Sequence, residues 1–190
     1  MNEQNKSHED VQVSTILIHP GFKQRSLRYD IAVIILKEPQ QMKVNINTIC
    51  LSSSFEEVDT SQCYSSGWGN DVSGNRGKLQ QFLKKLYLPI KNRESCEEIL
   101  KTNMRVSSIN HDFKLDSTHF CAGGNGQDSC KGDGGSALVC RRKNDQNRFA
   151  LVGVTSWGLS CNIPGIPGVY ASAVNDFSWI SRIVNELQKS

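Results

Sequence analysis

The sequence predicts an all-β, antiparallel fold that ends in one α-helix. Short β-branched and aliphatic runs recur between clusters of Gly, Pro, Asn and Ser, and glycine-rich segments at residues 67–69 and 123–126 supply turns. Only the carboxyl-terminal residues show a clear helical spacing of apolar side chains. The chain has 190 residues, of which 37% are hydrophobic and 22% charged, and this suits one globular domain with a core.

The runs assigned to strands share a high content of aliphatic and β-branched residues. They are residues 11–18, 31–36, 82–90, 137–140, 149–156 and 168–173. Asn175 and Asp176 suit a helix N-cap, and the apolar residues after them should dock a helix on the β core. These apolar residues are Phe177, Ile180, Ile183, Val184 and Leu187. A second, mostly charged candidate helix covers residues 93–101.

Charge and cysteine content narrow the functional class. Lys and Arg total 22 against 19 Asp and Glu, and the net charge of +3 is too small to indicate nucleic acid or an anionic membrane. No apolar run has the length needed to span a bilayer. Seven cysteines, none in C-x-x-C spacing, indicate disulfides in an oxidising compartment, and we expect neither metal nor cofactor. Residues 1–10 lack the apolar core of a signal peptide, so either a leader is missing or the chain is not secreted.

A series of short motifs stands in a characteristic order. His19-Pro20 precedes a strand that begins Asp30-Ile31-Ala32, and Ser66-Gly67-Trp68-Gly69 comes next. Residues 128–140 then read Asp-Ser-Cys-Lys-Gly-Asp-Gly-Gly-Ser-Ala-Leu-Val-Cys, followed by Ser156-Trp157-Gly158, Cys161 and Pro167-Gly168-Val169-Tyr170. Together these motifs resemble the trypsin and chymotrypsin family of serine proteases. The family's Gly-Asp-Ser-Gly-Gly motif stands here as residues 132–136, with Gly134 in place of the serine.

The resemblance implies a double antiparallel β-barrel whose first barrel is incomplete. Residues 1–50 would be the remnant of the first barrel, 51–174 the second barrel and 175–190 the carboxyl-terminal helix. It also implies a disulfide pairing, which the cysteine spacing alone leaves open. The implied pairs are Cys63 with Cys140, Cys96 with Cys121, and Cys130 with Cys161. Cys50 remains unpaired, and its family counterpart ties the protease domain to an upstream segment.

The family's catalytic triad is mostly absent. In that chemistry a serine attacks, a histidine takes its proton and an aspartate orients the histidine. Asp30 resembles the triad aspartate, but Gly134 has no side chain and no Ala-Ala-His-Cys segment occurs. Ser136 is an unactivated hydroxyl two positions further on, which makes it a poor substitute nucleophile. The four histidines, none of them in the required context, are His8, His19, His111 and His119. We therefore predict a pseudoenzyme.

Other family features remain in the sequence. Asp128 matches the acid at the base of a trypsin-like pocket that selects Lys or Arg. The alternative interpretation is that Asp128 is only a polar loop residue. The matching pocket walls are Ser156, Trp157, Gly158 and Gly168. The N–H groups of Gly132 and Gly134 could form a site like an oxyanion hole. Asp133 lacks the freed amino terminus that pairs with its family counterpart, so the pocket loops could rest in a collapsed, zymogen-like arrangement.

The sequence around Gly134 also resembles that of one subgroup of the family. In arthropods, non-catalytic serine protease homologues, some with a clip domain, act as secreted partners in proteolytic cascades such as melanisation. The resemblance implies an extracellular parent protein whose partners are active serine proteases or their zymogen substrates. Two alternatives are an active trypsin-like endopeptidase that cleaves after Lys or Arg, and a nonfunctional truncated fragment.

Overall fold

A computed structural model describes residues 9–74, 76–106 and 113–188. Within these ranges the chain forms nine β-strands, two α-helices and a short 3-10 turn at Phe55–Glu57. The strands are β1 (Val13–Ile18), β2 (Ala32–Leu36), β3 (Cys50–Leu51), β4 (Val58–Gly67), β5 (Lys84–Tyr87), β6 (His119–Gly123), β7 (Ala137–Arg142), β8 (Asp145–Trp157) and β9 (Pro167–Ser172). The helices are α1 (Arg93–Val106) and α2 (Phe177–Leu187).

Most strands form one large sheet in the order β5-β4-β7-β8-β9-β6. All pairs along this path are antiparallel, as predicted. The two residues of β3 pair with β8 in parallel. The second sheet contains only β1 and β2, which form an antiparallel pair.

Several element bounds differ from the predicted ones. The run predicted at residues 82–90 forms a strand only at Lys84–Tyr87, and Pro89 beyond it has no N–H to donate to a ladder. Helix α1 begins at Arg93 as expected but extends five residues beyond Lys101. Strands β4 and β6 were not predicted, although they are central to the fold.

The core lies within the curled large sheet. Its main cluster contains Val58, Leu88, Leu138, Val152 and Tyr170, all with no exposed side-chain surface. A second cluster lies beneath α1 around Cys96, Leu100, Leu115, Cys121 and Val169. Burying such side chains contributes about 1.5–3 kcal/mol each. This core fixes the positions of the loops that follow the strands.

Helix α2 docks on the sheet through part of its predicted apolar stripe. Ile180 and Ile183 are buried, whereas Val184 and Leu187 are 40% and 47% exposed. Neither of the described α-helices, with 14 and 11 residues, is long and apolar enough to cross a membrane.

The structure contains three disulfides, which are the pairs that the resemblance implies. They join Cys63 to Cys140, Cys96 to Cys121 and Cys130 to Cys161. Cys50 is a free, half-buried thiol. The first disulfide joins neighbouring strands β4 and β7, so it lies inside the main core.

The β1–β2 hairpin presents apolar side chains to solvent. Ile16, Ile18 and Ile34 are each about 60% exposed, at 59%, 62% and 58%. A two-stranded sheet of this kind is marginally stable by itself in water. The hairpin therefore depends on its contacts with the large sheet.

Candidate functional site

The first element of the site is a hydrogen bond between the two sheets. Asp30 lies just before β2, and Ser156 lies near the end of β8. The Ser156 hydroxyl donates to Oδ2 of Asp30 at 2.6 Å. This bond orients the carboxylate of the residue that resembles the triad aspartate and satisfies one of its oxygens.

The second element is the turn that carries Gly134, just before β7. Gly132 and Gly135 adopt left-handed backbone angles of +101° and +82°, which favour glycine. Gly134 does not, and a Cβ built there would meet no atom within 4 Å. Among the described residues, the N–H groups of Gly132 and Gly134 have no backbone acceptor, and both glycines line the same pocket. The turn could therefore present donors to an oxygen and accommodate a serine at position 134.

A groove of about 530 Å³ connects these two elements. Asp30, Gly134 and Ser156 lie along it, together with apolar residues of the β1–β2 hairpin. None of the described residues that line this groove is a histidine. No described histidine is therefore placed to take a proton from a group at position 134.

His19 has a structural position at the end of β1. Its ring stacks on Tyr29 with centroids 4.3 Å apart and meets Trp179 edge-on at 4.7 Å. Its Nδ1 accepts a hydrogen bond from the Gly21 N–H at 3.0 Å, and its Nε2 lies 3.8 Å from Oδ1 of Asp176. Both ring nitrogens of His19 therefore face partners other than Gly134. His8 and His111 lie outside the described residues.

His119 is buried at the start of β6, with 2% of its surface exposed. Its Nδ1 lies 3.2 Å from the Thr118 hydroxyl, and its Nε2 has no partner among the described residues. Burial lowers the pKa of His119, although the carboxylates of Asp116 and Asp30 act in the opposite direction. Its ring does not line the groove, so it cannot replace the triad histidine from this position.

Ser136 faces away from the groove. Its Oγ lies 3.4 Å from the position of a Cβ built on Gly67, on the side of the turn that also faces Asp133. It is therefore unsuited to act as a substitute nucleophile opposite Asp30.

Asp133 is held by backbone donors. The N–H groups of Gly69 and Cys130 donate to its two carboxylate oxygens at 2.8 and 2.9 Å. A Cβ at Gly67 or Gly69 would lie 2.0 or 2.3 Å from these oxygens, so both positions require glycine. Because the two N–H groups satisfy the buried carboxylate, the neighbouring loops are ordered without a charged partner.

Four residues that were expected to form pocket walls lie together around an open cavity. Its volume is about 470 Å³, and Ser156, Trp157, Gly158 and Gly168 line it, whereas Asp128 is not among its lining residues. The disulfide from Cys130 to Cys161 braces opposite sides of its wall. The backbone bonds to Asp133 give a physical reason why the expected collapse does not occur.

Asp128 lies behind the wall of this cavity and does not line it. It is only 4% exposed and lines a different cavity, of about 360 Å³, with Asp133. A Cβ at Gly168 would lie 2.5 Å from its Oδ1, so the carboxylate packs directly against Gly168, where both of its oxygens are buried. Neither carboxylate oxygen has a hydrogen-bond partner among the described residues. Burial raises the pKa of the Asp128 carboxyl well above its ordinary value, to about 7. Shifts of this size occur mostly at functional sites.

Sequence reasoning missed Asn162, which contacts the pocket wall. Its side-chain Oδ1 accepts a hydrogen bond from the Asp128 N–H at 3.0 Å, and its Nδ2 donates to the carbonyl oxygen of Asp71. These partners are 34 and 91 residues away in sequence, so no local pattern could have indicated them.

Comparisons with known proteins agree with this architecture. Phenoloxidase-activating factor 2 of Galleria mellonella is 36% identical over 91% of this chain and 56% of its own length. Inactive CLIP domain-containing serine protease A28 of Anopheles gambiae is 33% identical over 91% of this chain and 44% of its own. Trypsin-3 of Salmo salar is 36% identical over 87% of this chain and 62% of its own. The chain thus spans about half the length of these curated relatives.

The family assignment rests on the sequence profile and the fold together. The profile of the family described as Trypsin matches residues 1–180, which is nearly the whole chain. The curled antiparallel sheet, the carboxyl-terminal helix and the three disulfides are consistent with that match. This chain belongs to the trypsin family.

Proposed function

We propose that this chain is part of a catalytically inactive serine protease homologue that acts by binding other proteins. The observation that carries the proposal is Gly134, which leaves the nucleophile position without a side chain although the backbone there has room for one. The groove between Asp30 and Gly134 also lacks a histidine among the described residues that line it. Without a nucleophile and a base, the remaining donors and pocket can bind but cannot form an acyl-enzyme.

The proposed setting is an extracellular proteolytic cascade, immune or melanisation in kind. Two similar proteins are named as an inactive CLIP domain-containing serine protease and a phenoloxidase-activating factor. The disulfides suit an oxidising, extracellular compartment for the parent protein. The partners would be active serine proteases or their zymogens, which the chain would bind as a cofactor.

The pocket gives this proposal a chemical preference. A buried, unpartnered carboxylate beside Gly168 would attract a cationic group that enters the pocket. Lys and Arg have the required charge and length, with apolar stems that suit a wall containing Trp157. The proposed ligand is therefore a protein segment that carries Lys or Arg.

An active trypsin-like endopeptidase is the second candidate. The open cavity and the Asp30 carboxylate favour it, because the resemblance matches its walls and Asp30 to parts of working sites in the family. Its difficulty is the nucleophile, for which Ser136 is the nearest hydroxyl in the sequence. A nonfunctional fragment is a third candidate, favoured by the exposed apolar residues of β1 and β2, which invite aggregation.

A fluorophosphonate probe distinguishes the inactive from the active candidate. We expect no covalent labelling of the purified chain, because the Ser136 hydroxyl faces away from Asp30 and has no base to activate it. Labelling is measured by mass spectrometry, with a catalytically competent trypsin as the positive control. Stoichiometric labelling mapped to Ser136 would overturn the proposal.

A peptide titration tests the proposed pocket. A peptide with an exposed Lys or Arg should bind weakly and remain uncleaved, and Asp128→Ala should abolish binding because it removes the described carboxylate that packs against Gly168. Binding is measured by calorimetry, and cleavage by mass spectrometry of the recovered peptide. A peptide with norleucine in place of Lys is the control for the apolar contacts. Equal affinity of the wild type and Asp128→Ala for the Lys peptide would eliminate the pocket.

A further inference from the structure

The hydroxyl of Thr118 joins the connection between β1 and β2, residues 19–31, to the large sheet. It accepts a hydrogen bond from the Tyr29 N–H at 3.2 Å and donates one to Oδ1 of Asp116 at 2.8 Å. Its third neighbour is Nδ1 of His119, also at 3.2 Å. Tyr29 directly precedes Asp30, so this hydroxyl helps to hold the carboxylate that lines the groove.

These contacts determine which nitrogen of His119 carries the proton. A threonine hydroxyl has one hydrogen and two lone pairs, and an ionised carboxylate can only accept. The hydrogen of Thr118 therefore goes to Asp116, and Nδ1 of His119 must donate to the hydroxyl oxygen. A neutral imidazole has a single N–H, so Nε2 of His119 is a bare acceptor. This atom is buried and has no partner among the described residues.

The backbone of the β1–β2 connection is strained next to this network. Tyr29 has a φ of +53°, in the left-handed region that bulky residues rarely adopt, and Leu27 has the same angle. Tyr29 is held there by its bond to Thr118 and by the stacking of its ring on His19, with centroids 4.3 Å apart. Strained backbone persists only where the surrounding contacts impose it. Weakening these contacts would let the connection relax and displace Asp30.

Burial and nearby charges act on the His119 imidazole in opposite directions. Burial lowers the pKa of His119, and it outweighs the carboxylates of Asp116 and Asp30, which raise it. Arg93 of α1 also lowers this pKa, and its guanidinium donates to the His119 carbonyl oxygen at 2.6 Å. Asp116 is shared with Arg28, whose Nε lies 3.6 Å from Oδ2. The closed structure therefore favours a neutral imidazole.

We propose that His119 is a proton-sensitive joint between the β1–β2 connection and the large sheet, and that its protonation opens the groove at Asp30. A proton on Nε2 would create a buried donor without an acceptor among the described residues, which is costly. When the connection at Tyr29 and Asp30 moves away, water can reach the imidazolium and hydrate it. The joint would act on the groove whether or not the parent protein cleaves peptides.

The direction of the pH dependence follows from the two states. In the open state the histidine has an ordinary pKa of about 6.5, whereas in the closed state burial lowers the pKa of His119. The open state thus binds more protons, so the closed state loses stability as the pH falls below about 6.5. Above about pH 7 both states are neutral at this residue, and the closed state keeps its full stability.

Hydrogen–deuterium exchange at about pH 7.5 and about pH 5.5 tests the joint. Mass spectrometry reads peptides that cover β1 and β2, and the rates are corrected for the pH dependence of intrinsic exchange. Protection of these strands should fall severalfold at the lower pH, with a limit of about tenfold for one histidine of ordinary pKa in the open state. Protection of β7 and β8 should change little. Equal corrected protection of β1 and β2 at both pH values would overturn the proposal.

Two glutamine variants assign the effect to one histidine. In His119→Gln the amide can still donate to Thr118 but does not titrate, so the pH dependence should disappear. His19→Gln is the matched control, because His19 lies at the same connection with its Nε2 3.8 Å from Oδ1 of Asp176. It should keep the pH dependence of the wild type. Loss of this dependence in His19→Gln together with its retention in His119→Gln would show that the joint is wrongly assigned.

A measurement on the wild type covers the case in which His119→Gln does not fold. Nitrogen-15 NMR of the histidine rings, assigned through the β6 backbone, reports the protonated nitrogen and the titration midpoint. At about pH 7.5 the His119 ring should carry its proton on Nδ1, and its midpoint should lie below the ordinary value of about 6.5. A proton on Nε2 at that pH, or a midpoint above the ordinary value, would contradict the proposed joint.

Discussion

Replacing Gly134 with serine should leave the chain without measurable peptidase turnover. The new side chain has space, because a Cβ at this position meets no atom within 4 Å and the backbone angle is not left-handed. No described histidine would reach the hydroxyl: His19 is engaged with Gly21 and Asp176, and His119 is buried and does not line the groove. In a comparable serine protease, losing the triad histidine costs about a million-fold in kcat.

The measurement is hydrolysis of a chromogenic Lys or Arg anilide by the Gly134→Ser variant, beside the wild type and a trypsin. Thermal unfolding serves as the folding control, and we expect its midpoint to be nearly unchanged because the substitution neither clashes nor strains the turn. Turnover in the variant that the wild type lacks, and that a fluorophosphonate abolishes, would show that a base does reach position 134.

Removing the disulfide between Cys63 and Cys140 should cause the largest loss of stability among the three. It closes a loop of 77 residues, and chain entropy alone predicts that it stabilises the fold by about 4.5 kcal/mol. The disulfides that close 25 and 31 residues should contribute about 3.5 kcal/mol each by the same reasoning. Both Cys63 and Cys140 are also fully buried in the main core, so replacement by alanine removes packing as well.

The double variant Cys63→Ala/Cys140→Ala is compared with Cys96→Ala/Cys121→Ala by urea unfolding, both in a Cys50→Ser background that prevents thiol exchange. Because small domains are stable by only about 5–15 kcal/mol, the first variant should be close to unfolded at physiological temperature. Equal or smaller destabilisation of the first variant than of the second would contradict the chain-entropy argument.

The parts of the fold that follow local patterns could be predicted from the sequence. Helix α2 has an N-cap region and an apolar stripe, and the stripe correctly indicated the buried pair Ile180 and Ile183. Strand β6 was missed because its five residues, His-Phe-Cys-Ala-Gly, include no β-branched residue. Strand β4 was missed because most of the residues it buries, among them Ser65 and Gly67, are small or polar.

The candidate site was also predictable from the sequence only in part. Motif order was enough to identify Asp30, Gly134 and the pocket walls as candidates, because these residues stand in recognisable local contexts. The sequence could not show that Asp128 would lie behind Gly168, since that contact depends on a loop folding against strand β9. Nor could it show that backbone N–H groups would hold Asp133 and keep the pocket open.

The β1–β2 hairpin has a consequence for how the molecule opens. Among the described strands, β1 and β2 pair only with each other. Their contacts with the rest of the fold include single hydrogen bonds, from the Ser156 hydroxyl to Asp30 and from the Tyr29 N–H to the Thr118 hydroxyl. The large sheet, in contrast, has a continuous ladder and two core disulfides. Amide hydrogens of β1 and β2 should therefore exchange through local opening, at a free energy far below that of global unfolding. Residues of the hairpin and of the large sheet both line the groove at Gly134. Access to this groove therefore depends on local opening of the less stable β1–β2 hairpin.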